Sequence, residues 1–69
     1  MDYSETFLEM LQFLQITYNK FPKFMIEVMA ENYGIPLKEV KPLMHKFRKE
    51  GVLIILRDEG YTFTLNQDS

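Results

Sequence analysis

The chain has 69 residues, 46% of them hydrophobic, with ten acidic side chains against eight Lys and Arg and a formal net charge of -2. That length holds one domain, spanning 1–69, and its high surface-to-volume ratio calls for a dense apolar interior. There is no Cys, which excludes a disulfide frame and a thiolate metal site, and no apolar run of about 18 residues, which excludes a membrane-spanning helix. The opening MDYSETF has no basic n-region and no apolar h-region. A signal peptide is therefore not expected, and a cytoplasmic setting is.

The first helix is expected over about 4–19. Phe7, Met10, Leu11, Leu14, Tyr18 and Phe21 recur at three- and four-residue steps and form one apolar stripe. Asp2 with Glu5 has capping-box spacing, and Ser4 is an alternative cap. Leu8, Phe13 and Ile16 fall off the stripe. Either a small core wraps around more than half of the helix, or these are stray surface apolars, or Phe13 and Ile16 make a homodimer contact.

A second helix is expected over about 22–33, with Pro22 in its first turn, where a missing N–H costs nothing. Ile26, Met29, Ala30 and Tyr33 make its buried edge, while Glu27 and Glu31 face solvent. Gly34 ends it in a left-handed conformation, and Ile35 points back to the core.

The third helix is expected over about 37–49, with Val40, Leu43, Met44 and Phe47 as its apolar stripe. Pro42 conflicts with a regular helix, because a mid-helix proline costs roughly 3 kcal/mol. One solution starts the regular helix near Lys41 and leaves 36–40 as a loose lead-in. The favoured one starts it close to Pro36 and bends or loosens it before Pro42.

VLIILR and TFTL then read as a hairpin over about 52–65, with Asp58-Glu59-Gly60 as a three-residue turn. That turn pairs Arg57 with Tyr61, Ile55 with Phe63 and Leu53 with Leu65. Ile54 and Leu56 fall on the opposite face beside Thr62 and Thr64, and 66–69 form a frayed tail. The expected class is α+β, mainly α: three helices followed by a C-terminal β-hairpin.

Catalysis is not expected. His45 is the sole His, no Cys supports it, and Ser4 and Ser69 lie near the chain ends. One His without a second His or Cys also makes no metal site, and the three scattered Gly form no phosphate loop, so no cofactor is expected. Charge is distributed unevenly. The N-terminal helix is acidic through Asp2, Glu5 and Glu9. Between Lys38 and Glu50 stand Lys38, Lys41, Lys46, Arg48 and Lys49 against Glu39 and Glu50, plus His45. Such asymmetry bears on partners more than net charge does. Its plainest reading is a solvated helix face whose last cations offset the helix dipole.

The order helix, Gly turn, helix, hairpin resembles the helix-turn-helix family, and with the hairpin its winged-helix branch. The motif positions are Ala30, Gly34, Val40 and Leu43, and the passage KEGVLI enters the wing. The resemblance implies double-stranded DNA as partner and transcriptional regulation as role. Its DNA-reading positions map onto Pro36, Leu37, Lys38, Lys41, Pro42 and His45. Lys46, Arg48 and Lys49 are expected to add phosphate contacts, and Arg57 is the wing's one cation beside the acidic tip Asp58-Glu59. No Arg occupies the reading positions, a departure from the commonest way of recognising guanine. The alternative is a protein-interaction module on the same fold, an antirepressor, adaptor or assembly factor, using Phe13, Ile16, Ile54 and Leu56.

Overall fold

The computed structural model describes residues 2–57 and 60–66. Helix α1 spans Ser4–Tyr18, and its apolar stripe buries Phe7, Met10, Leu11 and Leu14 completely. The expected capping box is replaced by a simpler tie. Tyr3 holds the cap position without a side-chain bond, and Asp2 Oδ1 accepts the Ser4 N–H at 2.9 Å. The helix stops one residue earlier than expected because Asn19 takes φ 68°. The Lys20 N–H donates to the Tyr18 carbonyl at 2.7 Å across it. This is a γ-turn of the strained hand; Tyr18, the last helical residue before it, is 51% exposed rather than in the core that its stripe position suggests.

Pro22 is not in the first turn of the second helix. Phe21–Pro22 form a short strand, β1, and α2 runs Lys23–Asn32. The chain there is extended, with ψ 167° at Pro22, and an edge strand tolerates a residue without an N–H. Ile26 and Ala30 are buried, whereas Tyr33 sits at the helix end and is 37% exposed. The Ile35 N–H donates to the Ala30 carbonyl and the Gly34 N–H to the Glu31 carbonyl. With Gly34 at φ 76°, this is a Schellman termination, and it turns Ile35 into the core at 2% exposure. The glycine is required by φ alone, since an added Cβ would meet no atom within 4 Å.

Helix α3 spans Leu37–Lys49 with Pro42 inside it, so residues 37–40 are helix rather than a loose lead-in. Its first turn tightens where the Glu39 N–H reaches the Pro36 carbonyl at 2.9 Å. Pro42 removes the helical donor for the Lys38 carbonyl, and both residues are exposed, so water can take that donor's place. Val40, Leu43, Met44 and Phe47 are all buried, and the Phe47 ring meets Phe7 edge-on at 5.4 Å and 74°. A second Schellman pair, Val52 N–H to Phe47 carbonyl and Gly51 N–H to Arg48 carbonyl, delivers the chain to the sheet.

Strands β2 (Leu53–Leu56) and β3 (Thr62–Leu65) pair with Ile55 opposite Phe63 and Leu53 opposite Leu65, as the turn chemistry predicts. The two-stranded expectation is incomplete, because β1 adds to the other side of β3 through Phe21 opposite Phe63 and Pro22 opposite Thr62. The sheet is antiparallel, three-stranded and ordered β1-β3-β2. Gly60 has φ 95°, the left-handed form expected of it, while Asp58-Glu59 and the tail beyond Asn66 lie outside the described residues.

Gln15 closes the gap that the short β1 leaves. It is 8% exposed on α1, and its Oε1 accepts the Leu65 N–H at 2.8 Å, one step past the Phe21–Phe63 pair. The Thr64 hydroxyl lies 2.9 Å from the same oxygen and 3.0 Å from the Asn19 carbonyl. Gln15 Nε2 donates to Asn19 Oδ1 at 3.2 Å, which holds the γ-turn. Gln15→Ala strands a part-buried N–H and is expected to cost about 1–3 kcal/mol. A urea titration checks this through a lower midpoint at unchanged slope.

Candidate nucleic-acid interface

Helix α3 sorts its polar residues by side. With the buried stripe inward, Lys38, His45 and Lys49 point outward, Lys41 and Arg48 lie on one flank, and Glu39, Lys46 and Glu50 lie on the other. Both α3-segment acids thus fall away from Lys41 and Arg48. The helix has a cationic flank and a mixed one, a segregation that the charge count of the segment conceals.

The cationic flank opens onto the start of α2 and the centre of the sheet. A shallow depression of about 240 Å³ is lined by Lys23, Lys41, Met44, His45, Arg48 and Phe63. A second one, about 350 Å³, continues along the helix between His45, Arg48 and Lys49. The two share His45 and Arg48, so Lys23, Lys41, His45, Arg48 and Lys49 border one continuous strip. All five are exposed. Met44 and Phe63 give the strip an apolar floor, at 7% and 5% exposure. Such a strip can take a row of anionic oxygens against its cations and an apolar edge against its floor.

The structure assembles the expected residues unevenly. Lys41, His45, Arg48 and Lys49 come together. Lys38 is exposed on the outward side of α3, one turn before Lys41, and lines neither depression. Lys46 is engaged on the other flank, where its Nζ donates to Ser4 Oγ at 2.9 Å. Hydrogen bonds from Ser4 hold the Asp2 carboxyl below its ordinary value of 3.8, and the nearby Lys46 charge adds to that lowering. Lys46 is thus directed at the start of α1 rather than at the strip. Arg57 stands past the end of β2 with its guanidinium 5.9 Å from the centre of the Tyr61 ring, and it lines neither depression. Among the expected apolar contact residues, Ile16 is 87% exposed, Phe13 49% and Ile54 37%, while Leu56 is half-buried.

Lys23 was not singled out from the sequence. It stands far from the α3 run in the chain, and only the packing of the α2 start against α3 and β3 brings it to Lys41 and Arg48. Its signal was slight: a lone cation just after Pro22, where a helix was expected to begin.

Among the described residues, no helix is long and apolar enough to cross a membrane, and no cluster of His, Asp or Glu is placed to hold a metal ion. No family model matches the chain, and searches of curated proteins and of solved structures return no match.

Proposed function

We propose that this is a winged-helix DNA-binding domain with a regulatory role, in which α3 and its cationic flank engage the phosphates of a duplex. The observation that carries this reading is the convergence of Lys23, Lys41, His45, Arg48 and Lys49, from two helices, on one exposed strip that no carboxylate among the described residues lines. The architecture supports it: a helix-Gly-helix unit whose second helix is followed by a hairpin, with an extra strand contributed between the first two helices. In this reading Lys38 and the first turn of α3 lead into the groove, and Arg57, steadied against Tyr61, is the wing's contact. Lys46 contributes little, because its ammonium is committed to Ser4.

The experiment is a titration of fluorescent duplex at several salt concentrations. If about four phosphates are neutralised, log K falls with log salt at a slope of about -3.6. A flat response with mixed-sequence and palindromic duplexes at about 50 mM salt overturns the reading.

A second reading, a protein-interaction module on the same fold, is favoured by the exposed apolar pairs Phe13 with Ile16 and Phe24 with Val28. Recovery of a stoichiometric protein partner without nucleic acid would decide for it.

A further inference from the structure

The outward side of α1 carries a pattern that neither the core nor DNA binding uses. Glu9, Phe13, Ile16 and Lys20 follow one another at steps of four, three and four residues. That is the spacing of a seam between two helices. All four are exposed; Glu9, Phe13 and Ile16 lie opposite the side that buries Leu11 and Leu14, and Lys20 stands two residues past the helix end. An isoleucine at 87% exposure next to a half-exposed phenylalanine is an apolar centre that the described residues leave open. Acid stands at one end of the seam, base at the other.

We infer that α1 pairs antiparallel with α1 of a second copy of this chain, about a two-fold axis passing between Leu14 and Gln15. One register satisfies every seam position. It sets Phe13 against the partner's Ile16, Gln12 against the partner's Thr17, and Glu9 against the partner's Lys20. A closed two-fold contact must be self-complementary, and an apolar centre flanked by opposite charges is self-complementary only when the helices run in opposite directions. A parallel pair would set Glu9 on Glu9 and Lys20 on Lys20. Lys20 follows the γ-turn at Asn19 rather than a helical turn, so its flexible side chain carries the ammonium to the seam.

The surroundings of Ile16 fit this occupant. Gln12, Gln15, Ile16, Leu65 and Asn66 surround a depression of about 330 Å³ between α1 and the end of β3. In the proposed register the partner's Phe13 ring lands at Ile16, on the rim of that depression, and the two-fold axis repeats the contact. The pairing does not depend on DNA binding, and its test contains no nucleic acid.

Sedimentation equilibrium of the full chain should show a reversible monomer–dimer exchange. Ile16→Glu should raise the dissociation constant about tenfold or more while the circular dichroism and melting curve stay as they are, because Ile16 contributes little to the fold. Glu9→Lys and Lys20→Glu should each weaken the dimer, and the double exchange should restore it. Register is read by cross-linking, which the absence of native Cys keeps clean. Phe13→Cys mixed in equal amount with Ile16→Cys should give the mixed disulfide well beyond its statistical share over both symmetric products. A chain that stays monomeric up to about 1 mM, or a dimer indifferent to Ile16→Glu, overturns the pairing. An excess of either symmetric disulfide overturns the antiparallel register.

Discussion

Phe7→Ala is expected to leave the domain largely unfolded. Phe7 has no exposed surface, and its ring is the one on which Phe47 of α3 rests edge-on. Removing a buried aromatic ring costs about 3–5 kcal/mol, through lost transfer energy and the cavity left behind. The lost edge-to-face pair with Phe47 places the change toward the upper end of that range. A chain of this length has a total stability of about 3–10 kcal/mol, so the change removes much or all of it. The effect should appear as a collapsed thermal transition in circular dichroism. Phe13→Ala, a change of the same chemistry on the same helix but at a half-exposed position, is the control and should shift the melting temperature little. Equal losses for the two variants would show that α1 does not present its Phe7 side to the core.

Reversing Lys41 and Arg48 together to Glu should abolish duplex binding with the fold intact. Both side chains are exposed and border the same depression, so neither supports the core. A charge-assisted contact is worth about 1.5–3 kcal/mol, so two lost contacts weaken binding by about 100-fold or more before the added repulsion is counted. The milder Lys41→Ala with Arg48→Ala should lower the magnitude of the salt slope by about 2. Reversal of Lys46, bonded to Ser4 on the other flank, should have a smaller effect on binding. Titrations at fixed salt separate these cases. If Lys46→Glu proved as damaging as the Lys41 and Arg48 pair, the cationic flank would not be the contact surface.

Much of the fold was legible because it is set by local periodicity. The four buried positions of α3 follow from spacing, and the pairing of Ile55 with Phe63 is the one expected when Asp58-Glu59-Gly60 is read from the sequence as a turn. What escaped was decided by distant parts of the chain. Phe21–Pro22 is too short to show alternation, and it becomes a strand only because β3 offers it a free edge. Tyr18 and Tyr33 fit their helical stripes but lie at helix ends, where the core no longer reaches. Gln15 could have been noticed as an amide beside the apolar stripe of Leu11 and Leu14. Its partner, the Leu65 N–H, lies 50 positions later. The candidate site divides in the same way. Periodicity placed Lys41, His45, Arg48 and Lys49 outside the apolar stripe of one helix, but tertiary packing added Lys23 and drew Lys46 away to Ser4.

The middle strand of the sheet, β3, is also the last element of the fold to leave the ribosome. Until Thr62–Leu65 emerge, β1 has no neighbour, the Gln15 amide has nothing to accept, and β2 has neither side covered. The helices can form as they are made, but they cannot lock. Completion of this domain therefore waits on β3, and a chain cut back to Gly60 should remain open to proteases that one carrying β3 resists.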